Sequence, residues 1–327
     1  MYAHVEGWIE DVCYGEEHIK DVVAEIEKNF EVYFRKFIET EAGIGVSKDS
    51  FERMKKNFGI ESLGNGTDKE LRNNFKTIII ESVDSFERDR EADLEILDEE
   101  LLEEYEDDPN TFKSKVMRNQ CPVIRATLQN KKAKELDKYR AQFSRASSEE
   151  MLEVIQTLCA FADRYYNEFY DKDTYDEIED YLELDMELMD TDEFTVYGVI
   201  GGGIKSHMLY KLYPEIFANR SRSALWALWY LSGKKTFDCE MDSEFLMIDV
   251  EKSIAQQNYF YPYELFIYYA FEIYKMLKKK AEKMNLYIDP EYRYVIVDEF
   301  LSFVADMHDD EIAVLKSQIR DGGMGFV

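Results

Sequence analysis

Apolar residues recur at three- and four-residue steps over most of this chain, and that period predicts helices. From Glu16 to about Glu41, Ile19, Val22, Val23, Ile26, Phe30, Phe34, Phe37 and Ile38 mark one buried face, closed by Ala42 to Gly45. Ser47 is placed to cap a short helix running to Phe58, and GIESLGNGTD then reads as a loop. From Thr67 to Glu106 the apolar positions Leu71, Phe75, Ile79, Val83, Phe86, Leu94, Leu97, Leu101 and Tyr105 advance by threes and fours, with a gap at Arg90. DDPN, Asp107 to Asn110, is a turn, and a second helical arm follows from Thr111 to about Phe143, bent at Pro122.

Charge changes the picture of these two arms. LEILDEELLEEYEDD in the first carries no basic residue, whereas the second is rich in Lys and Arg, from Lys113 to Arg145. Opposite charges on adjacent helices joined by a tight turn predict a long antiparallel, coiled-coil-like hairpin with mutually attracting flanks. The basic arm taken alone looks like a nucleic-acid binder, so internal pairing is the competing explanation.

Downstream, SSEE (Ser147 to Glu150) signals a helix start, and Met151, Val154, Ile155, Leu158, Phe161, Ala162, Tyr165, Tyr166 and Phe169 give a broad apolar face. DKDTYDEIEDYLELDMELMDTDEF then holds twelve acids and one lysine. The organisation this suggests is an N-terminal helical region at 1–170, an acidic connector at 171–193 and a C-terminal helical region at 194–327. SEFLMID reads either as a strand or as the start of a helix through EKSIAQQN. Pro262 suits a first helical position, and YELFIYYAFEIYKMLKKKAEKM is a strong helix with lysines in its last turns. Asp289-Pro290-Glu291 opens another helix. The expected class is mainly α, with a possible small β element near FTVYGVI and EFLMID.

Composition supports that class. With Pro 5 and Gly 15 in 327 residues, few breakers interrupt the chain, and Phe 21 and Tyr 23 supply a core. The formal charge of −29 repels nucleic acid in general, so any phosphate contact needs a local basic patch. Cys13, Cys121, Cys159 and Cys239 are too scattered for a zinc site or a disulfide framework and read as buried thiols. No apolar run approaches a membrane span, and the start MYAHVEGWIEDV lacks the features of a signal peptide, so a cytoplasmic protein is expected. No motif calls for a cofactor or a metal.

One segment departs from the acidic background. GGGIKSHMLYKLYPEIFANRSRSALWALWYLSGK, from Gly201 to Lys234, contains Glu215 as its one acid. Gly198 to Ser206 falls short of the phosphate-binding pattern G-x-x-x-x-G-K-[ST], because Ile204 separates Gly203 from Lys205. The ingredients of an anion site remain. Gly201, Gly202 and Gly203 free the backbone at a helix start, Lys205, His207 and Lys211 follow, and Asn219-Arg220-Ser221-Arg222 opens the next helix. Arg220 and Arg222 suit phosphate through their planar forks, Ser206 and Ser221 supply hydrogen bonds, and His207 a pH-sensitive contact. The structural alternative has these groups capping helices and neutralising the protein's own acids.

Other candidates are weaker. QQNYFYPY and the tyrosines after it, through Tyr274, offer base-stacking rings but have core spacing. Asp242, Glu244, Asp249, Glu251 and Lys252, with Gln257 and Tyr261, resemble the acid–acid–lysine set and QxxxY element of PD-(D/E)xK nucleases. The acid and lysine are adjacent here, where that family spaces them by one residue. His4, His18, His207 and His308 form no metal motif, and His308-Asp309-Asp310-Glu311 reads as a solvated helix junction. The acidic runs are solvated faces or imitate nucleic acid before a basic partner.

The leading expectation is a non-enzymatic protein holding a phosphate-bearing ligand, nucleotide or nucleic acid, at 198–222, with the helical hairpin or the acidic faces available to a protein partner. The alternative is an acidic inhibitor or scaffold that binds a basic protein surface, and the third is a metal-dependent hydrolase or nuclease.

Overall fold

The computed structural model describes residues 12–39, 67–130, 136–237, 244–249, 254–258 and 261–318. Its helices are α1 (Glu16–Glu39), α2 (Asp68–Ile96), α3 (Glu99–Glu104), α4 (Pro122–Gln129), α5 (Asp137–Arg145), α6 (Ser148–Glu168), α7 (Gly202–Leu212), α8 (Arg222–Leu231), α9 (Tyr263–Lys283), α10 (Arg293–Met307) and α11 (Asp309–Gln318). The fold is mainly α, as the periodicity predicts. Its β element is a two-stranded antiparallel ribbon, β1 (Leu246–Asp249) with β2 (Ile254–Gln257), in the register Leu246 opposite Gln257 and Asp249 opposite Ile254. SEFLMID therefore enters a strand, and IAQQ is its partner rather than a continuing helix. FTVYGVI holds only an isolated bridge between Val196 and Ile200. Among the described residues no helix is long and apolar enough to cross a membrane. The expected helix at 47–58 and the tail DGGMGFV lie outside the described residues.

The chain forms two compact units, each built from separated stretches. The first takes described residues from 12–86, Ser223–Asn258 and 272–318; the second takes Glu87–Arg222 and 261–271. In the first unit the apolar stripe of α1 meets α10, and Phe34, Phe37 and Phe75 interlock through edge contacts at 5.2 and 6.5 Å between ring centroids. Phe300 of α10 closes the cluster against Phe37 at 5.4 Å. Each fully buried ring stabilises the fold by about 1.5–3 kcal/mol.

In the second unit the two arms read from the sequence are subdivided. The acidic arm enters it as the end of α2, from Glu87, followed by α3, whose N-cap Asp98 accepts from Leu101 N at 3.0 Å. The basic arm begins as a π-helical run, Phe112–Gln120, and ends where Cys121 N bonds Val116 O at 3.0 Å. Proline explains the interruption: Cys121, before Pro122, is pushed to ψ 110, and Pro122 then opens α4 at its first turn. Lys113 donates to the carbonyls of Ser144 and Ala146 at the end of α5, a cation placed at a helix C-terminus. Ser147 caps α6 by accepting from Glu150 N at 3.1 Å.

The acidic stretch 171–193 is folded into this unit as a strap of short 3-10 turns: Tyr175–Glu177, Tyr181–Leu184, Glu187–Asp190 and Asp192–Phe194. Tyr175, Leu184, Met186, Met189 and Phe194 anchor it in the core. Tyr165 donates its hydroxyl to Leu184 O at 2.6 Å, and Tyr268 to Glu179 O at 2.9 Å. Cys13, Cys121 and Cys159 are buried free thiols, as expected, while Cys239 lies outside the described residues. Burial pushes the thiols of Cys121 and Cys159 up to about 12.

Candidate functional site

The glycine-led segment folds as α7, which starts at Gly202 behind the N-cap Gly201. Gly201 has φ −112, so it needs no left-handed conformation. The positive φ nearby belongs to Gly198, at 74. Gly202 is required for a different reason: a Cβ there would overlap the guanidinium of Arg220. Gly202 therefore admits an arginine at close range, where the glycines were expected to converge amides on an outside anion.

Arg220 retains 5% exposure. Its Nη1 donates to the carbonyl of Tyr261, and its own amide donates to Ser206 Oγ at 3.1 Å. Ser206 in turn donates to Gly203 O at 3.2 Å and is fully buried. Lys205 is also 5% exposed, with Nζ donating to Thr195 Oγ1 at 3.5 Å. The anion beside both cations is the protein's own Asp190. Its carboxylate oxygens accept from Tyr263 N at 2.8 and 2.7 Å and from Glu264 N at 3.3 Å, closing the N-terminus of α9. Asp190 keeps an outer side in solvent while its carboxyl turns inward. Loss of water raises its pKa, opposed by those amides and by Arg220 and Lys205. The same loss of water brings Lys205 down to about 8, against the pull of Asp190.

Lys211 belongs to a second cluster, six residues along α7. It is buried and acts on Asp93, which is 2% exposed and whose pKa burial raises to about 6. His207 shares this end of the helix. Burial, then Lys211, lowers it to about 4, with a hydrogen bond to Asn219 acting the other way. It is therefore neutral near pH 7. Arg90 closes the C-terminus of α7, donating from Nε to Lys211 O at 2.7 Å and from Nη2 to Leu212 O at 2.6 Å. The gap at Arg90 in the apolar pattern is thus a tertiary contact.

Of the residues expected to hold phosphate, the fold brings Gly202, Lys205, Ser206 and Arg220 together and turns their polar groups inward. Lys211 joins Asp93 instead, His207 lies beside Lys211 and Asn219, and Ser221 is half-buried with its amide on Asn219 O at 2.8 Å. Gly201, Gly203 and Arg222 stay exposed. None of these residues lines the shallow concavity of about 200 Å3 formed by Gln142, Arg145, Ala146, Glu150, Val196 and Tyr197. Sequence reasoning missed Asp190, Asp93 and Thr195. Asp190 and Asp93 carry no local signal among so many carboxylates.

The remaining candidates resolve similarly. Tyr261, Tyr263, Phe266, Tyr268, Tyr269, Phe271 and Tyr274 are core, as their spacing suggested; Tyr263 donates to Ala218 O at 3.0 Å. Glu244 is fully buried against His18 Nε2 at 2.8 Å, so it is not open to a metal. Asp242, Glu251 and Lys252 lie outside the described residues. Among the described residues no group of three or more His, Cys, Asp and Glu side chains is arranged to hold a metal ion. His308 is more than a solvated junction: its ring lies flat on Tyr230, with centroids 3.6 Å apart, and it shares a 2.9 Å hydrogen bond with the Tyr33 hydroxyl.

The strap's outward chemistry is acidic and partly apolar, whereas the basic arm of the same unit exposes Lys115, Arg118, Arg125, Lys138 and Arg145. Glu177, Glu179, Asp180, Glu183, Asp185, Glu187, Asp192 and Glu193 are exposed along the strap. Between and beside them stand Leu182 at 66% exposure, Leu188 at 42%, Tyr197 at 69% and Phe169 at 56%. No protein-family model, curated protein or solved structure matches the chain.

Proposed function

We propose that this chain is a non-enzymatic binding protein whose acidic exterior engages a basic surface on a partner protein. One observation carries the reading: in the second unit the buried Lys205 and Arg220 lie beside Asp190, the strap carboxylate held by the first amides of α9, while the strap's other carboxylates face water. A phosphate ligand would have to displace Asp190 to reach Lys205 and Arg220, leaving Arg222 as the exposed cation among the expected ligands. A carboxylate array on a backbone tied down by buried anchors suits long-range attraction to a basic patch. Rigidity also limits the ordering cost of association.

The test compares a labelled oligolysine with a labelled single-stranded oligonucleotide, titrated against the full chain by fluorescence anisotropy. Oligolysine is expected to bind and weaken as salt rises, and the oligonucleotide to stay unbound. Changing Glu177, Glu179, Glu183 and Glu187 to Gln should weaken oligolysine binding more than the same change of charge at Glu16, Glu17, Asp21 and Glu27 on α1. Oligonucleotide binding that disappears in Arg220→Ala or Arg222→Ala would restore the phosphate reading and overturn this one.

A further inference from the structure

Large apolar side chains in a densely charged stretch normally turn inward, and most of the strap's do. Leu184, Met186, Met189 and Phe194 are buried, whereas Leu182 and Leu188 point out between Glu183, Asp185 and Glu187. The backbone leaves them little choice of direction. Asp180 accepts from Leu182 N at 2.9 Å, Tyr165 fixes Leu184 O, and Asp190 ties the following turn to α9. Tyr165 also connects this stretch to the end of α6. Its ring packs on Phe169 at 5.8 Å between centroids while its hydroxyl reaches Leu184 O at 2.6 Å. Phe169 is thus tied through one buried tyrosine to the stretch that carries the exposed leucines.

Resting on the acidic-docking reading, we infer that this region, Phe169 with Leu182 and Leu188 in their carboxylate surround, docks a basic amphipathic segment of a partner protein. Charge complementarity selects the occupant. A second copy of the chain would set like charges against each other, and an anionic lipid surface or a nucleic acid would be repelled by the same carboxylates. A purely cationic segment would leave the leucines wet. A segment that alternates Lys or Arg with large apolar residues covers the leucines and Phe169 while pairing its charges with Glu183, Asp185 and Glu187. Apolar contacts at the centre with screened ion pairs around them is the arrangement in which a few side chains carry most of the affinity. Leu182 and Leu188 are the anchors, and the carboxylates set orientation and association rate.

The probe is a labelled helical peptide of Leu and Lys with all its leucines on one face, compared with a shuffled peptide of identical composition and with oligolysine. Anisotropy titrations use the full chain. The amphipathic peptide is expected to bind about tenfold tighter than either control, the ratio expected from burying one exposed leucine. Leu182→Ser with Leu188→Ser should erase that advantage while oligolysine binding stays unchanged; both positions are exposed, and circular dichroism reports whether the fold persists. Ile80→Ser, at an exposed position of the first unit, should leave the advantage intact. Equal binding of amphipathic peptide and oligolysine, or an advantage that survives the double change, overturns the inference and leaves acidic docking standing. Failure of every cationic peptide to bind overturns both.

Discussion

Lys205 keeps 5% of its surface in water and Leu182 keeps 66%, although they lie in one compact unit and little more than twenty positions apart. The basic segment at 201–222 turns Lys205, Lys211 and Arg220 inward, and the acidic strap at 171–193 turns two leucines outward. A charged side chain can be buried where a partner charge or fixed amides replace water: Asp190 does so for Lys205 and Arg220, and the first amides of α9 do so for Asp190. An apolar side chain is left outside where the backbone is already committed elsewhere, as the Tyr165 and Asp190 contacts commit the strap. Charge density in a sequence therefore says which groups need partners, and only the fold says whether the partner is internal.

The largest expected effect breaks the inward half of that comparison. Arg220→Ala leaves Asp190 with Lys205 and the amides as its remaining support, and removes the bond to Tyr261 O. Breaking a buried charge cluster from one side costs about 3–5 kcal/mol, read as a lower denaturant midpoint in chemical unfolding. Gly202→Ala approaches the same result from the other side. In a helix this change normally adds up to about 1 kcal/mol of stability. Here the new Cβ displaces the guanidinium, so a loss of about 1–3 kcal/mol is expected. Midpoints at or above wild type for both variants would show that the cluster does not hold the fold.

Next in size is a pair of opposed pH dependences at the other end of α7. Asp93 has a folded pKa of about 6 against an ordinary 3.8, so the folded state binds its proton more tightly. Its contribution is present at low pH and is lost as pH rises from about 4 to 6. His207 has a folded pKa of about 4 against 6.5, so its contribution is present above 6.5 and is lost as pH falls toward 4. The two slopes oppose each other in the window they share. Asp93→Asn should make stability climb more steeply with pH across that window, and His207→Gln should flatten or reverse the climb, each by on the order of 1–3 kcal/mol. Midpoints measured from pH 4 to 7 check this, and curves parallel to wild type would refute it.

The helices were legible because their apolar residues keep one period over many turns, as Ile19 to Ile38 do in α1. The end of the basic arm was half legible: Pro122 announces a break, but nothing distinguishes Phe112–Gln120 as π rather than α. The strap was not legible. Its turns are three and four residues long and joined irregularly, so no period separates Leu184 and Met186, which are buried, from Leu182 and Leu188, which are not. The basic segment read as an anion site from its ingredients, and Asp190 is the carboxylate beside Lys205 and Arg220. The occupant was hidden, because Asp190 is one of twelve acids in its stretch and only the contact with Tyr263, far along the chain, singles it out.

The smallest effect sharpens the comparison by asking whether Lys205 is there for stability at all. Its folded pKa of about 8 lies below the ordinary 10.5, so between those values the unfolded chain holds more protons. Stability from this group therefore rises as pH climbs from 8 toward 10.5 and is fully penalised below 8. Lys205→Met keeps the buried stem and removes the charge. Arg220 and the α9 amides remain on Asp190, and the desolvation that holds Lys205 down outweighs the attraction it gains, so stability at pH 7 should stay at or above wild type. The pH profile is the sharper readout: the rise above pH 8 should disappear in Lys205→Met relative to wild type. A loss at pH 7 as large as that of Arg220→Ala would mean that the two cations share the carboxylate equally, and that Arg220 is not its principal partner.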